Sequence, residues 1–306
     1  MSLNSLSPYG IALGSGGARG LAHIGVVKAM LERGMRPKAV GGTSMGAIVG
    51  AALAAGTFDR LLTVVNSMDV GETASLFLDF SFTSSGLVKG QKVVDFLSKV
   101  IPDVSFDELE IPFVALATDI ESGKAVPLKR GRVLSAVRAS IAIPGLFTPV
   151  RRGQYLLVDG GLSSPVPIDA VRSLGVGAVI AVNVDVDAKC PYDTHRLPSV
   201  VNRAMGVRDR VRKAIQERFG LELEHGLGFM NMLAKTTRIC ERRIASWEVE
   251  RSHPEFLIEP PVGDIPTLDF SRVDDAVRAG YEEATRRFNS LASRRISHAE
   301  TQRRGE

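Results

Sequence analysis

The chain has 306 residues, 44% hydrophobic and 24% charged, with a formal net charge of +4. That apolar content is enough for a large core, and the charged share is that of an ordinary soluble globular protein. Two cysteines, Cys190 and Cys240, exclude a disulfide framework and a cysteine metal site, and they fit a reducing cytoplasm.

Residues 1–8 lack the basic-then-apolar order of a secretory signal and read as a disordered N-terminus. Residues 9–13 read as a buried strand that runs into a glycine cluster, followed by an amphipathic helix over 18–33 that Gly34 stops. Residues 38–41 are a second short strand, and 45–55 a helix rich in small residues. This strand–turn–helix alternation argues for an α/β fold with parallel strands. Residues 76–88 carry Phe77, Phe80 and Phe82 beside serines. They read either as an apolar flap over a lipid site or as core packing under a loop. Residues 112–118 predict a third strand, 121–129 a hairpin-like segment, and 133–140 a helix. A strand over 155–158 ends at Asp159, a helix follows over 167–174, and 178–185 is the strongest buried-strand signal. Then come a loop at 188–198, long helical patterns at 199–219 and 227–249, a late strand at 256–259 and a final helix at 273–287. The return of strand and helix at the end predicts one domain over 9–290 with a helical elaboration near 199–250. The arginines at 286, 287, 294, 295, 303 and 304 make 291–306 a basic tail, read as solvated or as touching phosphate or an anionic membrane. No window of about 20 residues is apolar enough to span a bilayer, so any membrane contact is expected to be peripheral.

Three motifs carry chemistry. Gly42-Thr43-Ser44-Met45-Gly46 follows a strand and precedes a helix, the context of a nucleophile elbow. The turn needs small residues, and the helix N-terminus behind Ser44 offers N–H groups. The plainer reading is a tight turn with a capping serine. Gly14-Ser15-Gly16-Gly17-Ala18-Arg19-Gly20 also joins a strand to a helix and presents N–H groups to a phosphate or an oxyanion. A dinucleotide fingerprint starting at Gly14 needs glycine where Arg19 stands, and no Gly-Lys-Ser/Thr exists for a P-loop. No nucleotide cofactor is therefore expected. Asp159-Gly160-Gly161 puts a carboxylate at a strand end, pointing to the same rim of the sheet. It reads either as a simple turn or as a base, if burial raises the pKa and Ser44 is within hydrogen-bond reach. Among five histidines, His23 falls one turn into the first helix and reads as a packed residue. The order Ser, acid, His leaves His195, His225 or His253 as partners in a Ser–His–Asp esterase.

In this order and spacing, the three motifs resemble those of the patatin-like phospholipase family, especially its compact bacterial members. The stretch Ser140-Ile141-Ala142-Ile143-Pro144-Gly145-Leu146-Phe147 resembles the one that precedes the family's aspartate. The resemblance covers residues 9–185. It implies a three-layer α/β/α sandwich with a mainly parallel central sheet, and a Ser44–Asp159 dyad without histidine. It also implies an oxyanion hole of Gly16 and Gly17 N–H groups with Ala18 or Arg19 nearby, supported by Ser15, Gly20, Gly42, Gly46, Gly160 and Gly161. The expected substrates are esters of phospholipids, lysophospholipids or related lipids, with no metal, no cofactor and no nucleic-acid partner. One departure is Ser15, which stands where the family commonly has glycine and would be strained if that position needs positive φ. The apolar segments 76–88 and 227–233 are candidates for an acyl-chain pocket. The competing expectation is a regulatory or scaffold protein with an idle hydrolase site.

Overall fold

Strand β1 (Tyr9–Leu13) is buried on both faces, as its unbroken apolar run demands. The computed structural model describes residues 8–67, 91–186 and 229–303. The predicted flap at 76–88, the loop at 188–198 and the helix at 199–219 lie outside the described residues. Beside β1 run β2 (Ala39–Thr43) and β7 (Ala178–Val182), both parallel to it. Beyond them lie β3 (Phe113–Asp119) and β8 (Phe256–Ile258), so five parallel strands form the centre of the sheet. Three antiparallel strands complete its eight: β4 (Ala125–Leu128), β5 (Val150–Arg152) and β6 (Tyr155–Asp159).

Alternation along each strand sorts side chains into two layers. Ile11, Leu13, Val40, Ile180 and Val182 face one core, which is covered by α1 (Ala22–Glu32), α2 (Met45–Ala54), α3 (Phe58–Ser67), α4 (Gln91–Val100), α5 (Val133–Ser140) and α8 (Val273–Arg303). Ala12, Ala39, Val179 and Ala181 face the other core, under α6 (Ile168–Arg172) and α7 (Phe229–Ser252). This is the expected three-layer α/β/α sandwich.

The way β3 is paired positions the site. Ala115 and Leu116 pair with both β2 and β4, while Ala117 and Thr118 pair with both β4 and β6. Each residue has one partner per edge, so β2 and β6 share the same edge of β3. β2 ends with Thr43 opposite Leu116, and β6 arrives from the other direction and ends with Asp159 opposite Ala117. The two strand ends therefore meet head to head.

Several elements differ from their sequence patterns. The first helix is divided into a 3-10 turn at Gly17–Leu21 and α1, because Gly16 and Gly17 take positive φ and wind the loop tightly. β7 stops at Val182, where Asn183 turns the chain by accepting the Asp185 N–H through its side chain. The final helix runs on to Arg303, through most of the segment read as a basic tail. Among the described residues, no helix is long and apolar enough to cross a membrane.

Candidate active site

Ser44 sits between β2 and α2 with φ 54° and ψ −119°, a backbone conformation that L-residues avoid. The flanking glycines permit the turn. A Cβ on Gly46 would lie 2.1 Å from the Leu13 carbonyl oxygen, and one on Gly42 would lie 2.2 Å from that of Gly46. Ser140 fixes the elbow from below: its hydroxyl accepts the Ser44 N–H at 3.0 Å and donates to the Leu116 carbonyl. Thr43 is tied down by donating to the Ser164 carbonyl at 2.8 Å.

The Ser44 hydroxyl donates to Asp159 Oδ2 at 2.6 Å. Asp159 Oδ1 accepts the Gly161 N–H at 2.8 Å, so one carboxylate oxygen is anchored and the other faces the serine. The Asp159 backbone is clamped as well, its N–H donating to Ala142 and its carbonyl accepting from the Thr118 hydroxyl. Burial raises its pKa to about 6, against the opposing effect of the two hydrogen bonds. Asp159 comes on an antiparallel strand, whose end meets the end of β2 at Ser44.

The glycine loop follows β1 and lies beside the elbow. The N–H groups of Gly14 and Ser15 donate to Val182 and Pro165, and that of Ala18 donates to Thr267 at 2.9 Å. Among the described residues, those of Gly16 and Gly17 have no acceptor, and both residues line a cavity with Ser44. Positive φ falls on Gly16 and Gly17 and not on Ser15, so the departure at Ser15 carries no backbone strain. Its hydroxyl donates to Asp185 at 3.4 Å. The Arg19 side chain is fully buried and turned away from Ser44. It pairs with Asp185 at 2.7 Å and donates to the Ile265 carbonyl and the Thr267 hydroxyl. His23 lies inside the first helix, and its Nε2–H donates to the Gly14 carbonyl at 2.8 Å. Burial lowers its pKa to about 4, so the ring is neutral and props the loop.

Ser44 stands where two cavities meet. One, about 830 Å³, is walled almost wholly by apolar side chains, among them Leu21, Ile48, Leu61, Phe96, Phe147 and Phe270. The other, about 650 Å³, mixes apolar groups with Asp159, Thr237 and Glu241. His253 ends α7 on the amino side of β8, which is parallel to β7, and so lies at the opposite rim from Ser44. His195 and His225 lie outside the described residues. Among the described residues, no group of three or more His, Cys, Asp or Glu side chains is arranged to hold a metal ion.

The sequence profile of the patatin-like phospholipase family matches residues 11–172, from β1 through Ser44 and Asp159 to α6. The chain belongs to the patatin-like phospholipase family. Among curated relatives of this family member, an uncharacterized NTE family protein of Mycobacterium tuberculosis is 40% identical over 57% of this chain and 48% of its own. Another from the same species is 31% identical over 89% of this chain and 45% of its own. Patatin-like phospholipase domain-containing protein 7 of Rattus norvegicus is 27% identical over 91% of this chain and 20% of its own. The chain spans about half the length of the first two relatives. Among solved structures, that of VipD from Legionella pneumophila aligns with a TM-score of 0.48 and 13% identity, covering 92% of this chain and 66% of that one.

Two groups at the site escape the motif reading. Asp185 is brought to Arg19 across 166 positions by the β1–β7 pairing. Glu241 faces Asp159 from α7. The signal available for it was its place on one helical stripe with Ala234, Thr237, Ala245 and Glu248.

Proposed function

We propose that this domain is a serine acyl hydrolase of lipid esters, with Ser44 as nucleophile and Asp159 as base. The observation that carries the reading is the 2.6 Å hydrogen bond from Ser44 to a buried carboxylate at the junction of an apolar and a mixed cavity. An ester binds with its acyl chain in the apolar cavity and its carbonyl carbon over Ser44 Oγ. Asp159 takes the hydroxyl proton as Oγ attacks. The tetrahedral oxyanion is held by the Gly16 and Gly17 N–H groups, loop donors that have no acceptor among the described residues. Collapse breaks the bond to the alcohol oxygen, which leaves with the proton from Asp159. A water then gives its proton to Asp159 and attacks the acyl-enzyme. The fatty acid departs, and the proton returns to Ser44.

The elevated Asp159 pKa suits this exchange, since a carboxylate that binds a proton more readily is a better base. The family membership and the NTE-family relatives support lipid esters as the substrate class.

The test is hydrolysis of a chain-length series of p-nitrophenyl esters by wild type, Ser44→Ala, Asp159→Asn and His253→Ala. The first two variants should fall to the residual rate left by binding and the oxyanion donors, with losses on the order of 10⁴ or more. His253→Ala should keep the chemical step. A wild type inert toward every ester and unlabelled by a fluorophosphonate would overturn the reading in favour of a scaffold with an idle site.

A further inference from the structure

Glu241 is the titratable group at the site that the dyad does not use. It is 9% exposed, lines the mixed cavity with Ser44, Asp159, Gly16 and Gly17, and makes no hydrogen bond with any described residue. A carboxyl left so on a cavity wall is open to a hydrogen bond from whatever fills the cavity. Its neighbours do not supply one. A Cβ built on Gly161 would meet Glu241 Oε1 at 2.5 Å and Asp159 Oδ1 at 3.2 Å, so the two carboxyls flank one glycine. The Gly161 N–H is already taken by Asp159, and Arg19 is committed to Asp185. Arg238, one turn before Glu241 on α7, donates to the Gly263 carbonyl.

We propose that Glu241 donates a hydrogen bond to the alcohol half of the ester, selecting alcohols that carry a second oxygen beyond the scissile bond, as glycerol does. This rests on the acyl-hydrolase reading, because the acyl chain occupies the apolar cavity and leaves the mixed one to the alcohol. The role of donor follows from the surroundings. Burial, then the charges of Asp185 and Asp159, push the Glu241 carboxyl well above the ordinary carboxylate range, and Arg19 and Arg238 oppose this only in part. Asp159 keeps its negative charge more easily, since its anion accepts from Ser44 and Gly161 while the Glu241 anion would accept from nothing. Of the two carboxyls, Glu241 is therefore the one that keeps its proton. It presents an acidic O–H to the cavity, while Asp159 is free to act as the base.

Two substrates isolate the contact. Glycerol monobutyrate and propyl butyrate share the acyl group and an aliphatic leaving group, and only the first carries further hydroxyls. Acid release is followed in a pH-stat, with Ser44-dependent p-nitrophenyl butyrate hydrolysis as the check on the underlying reading. In Glu241→Leu, kcat/KM for the glycerol ester should fall about tenfold further than for the propyl ester, with the difference mostly in KM. In wild type, the glycerol-to-propyl ratio should change as pH rises and Glu241 ionises, because the acid donates to a glycerol oxygen whereas its anion can only accept from a glycerol hydroxyl. In Glu241→Gln, which keeps a donor that does not titrate, the ratio should be independent of pH. Titration of Asp159 affects both esters alike and cancels in the ratio. Equal losses for the two esters in Glu241→Leu, or a ratio in Glu241→Gln with the wild-type pH dependence, overturn the proposal. If wild type hydrolyses none of the three esters, the hydrolase reading itself has failed.

Discussion

Ser44 holds φ 54° without being glycine, and such a conformation costs on the order of 1–3 kcal/mol. The cost is separable from the hydroxyl. Ser44→Ala and Ser44→Gly both remove the oxygen that Asp159 faces, but only glycine relieves the backbone. Glycine gives back about 0.4–1 kcal/mol through the freedom of its unfolded chain. Ser44→Gly is therefore expected to exceed Ser44→Ala in stability by about 1 kcal/mol in urea titrations, and equal midpoints would mean an unstrained turn. Asp159 makes a second residue-scale prediction. Its carboxyl must be ionised to take the serine proton, and burial raises its pKa to about 6. The acid limb of kcat/KM should thus rise through about pH 6, in the free enzyme, and an acid limb near the ordinary carboxylate value would place Asp159 in solvent. Ser44 and Asp159, joined by the 2.6 Å hydrogen bond, stand out in the sequence because glycines mark them: Gly42 and Gly46 leave room for the elbow, and Gly160-Gly161 follows the aspartate. Glu241 was not readable in this way. On α7 it stands beside Arg238, Arg242 and Arg243, and only its place on the stripe with Ala234, Thr237, Ala245 and Glu248 marks it as the charge that turns inward.

At the scale of elements, α7 is fastened to the rim of the site by a second buried acid. Glu248 accepts from the Ser164 hydroxyl at 2.7 Å and from the Val166 N–H at 2.8 Å, and Ser164 in turn accepts from Thr43, the neighbour of Ser44. Burial outweighs these bonds and raises its pKa from 4.5 to about 7. A carboxyl that binds its proton more tightly when folded adds stability below its unfolded pKa and loses it as pH rises through the folded value. Wild type should thus lose stability between about pH 4.5 and pH 7. Asp159 and Glu241 slope the same way, so the comparison with Glu248→Gln is what isolates this group. That variant should shrink the loss by more than about 1 kcal/mol in denaturant midpoints. Helices α1 and α8 interlock through backbone contact instead. A Cβ on Gly25 would lie 1.9 Å from the Val277 carbonyl oxygen, and one on Gly280 would lie 2.0 Å from that of Ala22. Either glycine replaced by alanine should cost about 3 kcal/mol, measured by urea unfolding, because backbone cannot yield as a side chain can. Most elements were legible where one signal governs them: β1 as an unbroken apolar run and α2 as small residues after the elbow. The partnering of β6 was not, since an apolar run carries no mark of strand direction. Helices α3 and α4 were passed over although Leu61 and Val65, and Val93, Leu97 and Val100, keep helical spacing. They flank the serine- and phenylalanine-rich stretch at 76–88, whose irregular pattern obscures the period on both sides.

Across the whole molecule, the apolar cavity is walled from both ends of the chain. Leu21 comes from the 3-10 turn after β1, Ile24 and Ile48 from α1 and α2, Leu61 and Phe96 from α3 and α4, Phe270 from the 3-10 turn that leads into α8 and Val273 from its first residue. A chain bound there would touch segments from both ends of the sequence at once. The consequence can be measured without turnover. Alkyl fluorophosphonates of increasing length, from ethyl to octyl, would phosphonylate Ser44 and place the chain where the acyl group of the ester is proposed to lie. Each methylene buried contributes up to about 0.8 kcal/mol, reduced by the ordering of the chain. The octyl adduct should therefore melt higher than the ethyl adduct, by on the order of 5 °C. Because the label is covalent, the gain is independent of reagent concentration and reports only what the chain touches. Ser44→Ala, which takes no label, should show no change with either reagent. Melting temperatures that rise with chain length and then level off would measure the depth of the cavity. Identical values for every length would mean that the chain lies along the surface, and the cavity would have to be assigned another occupant.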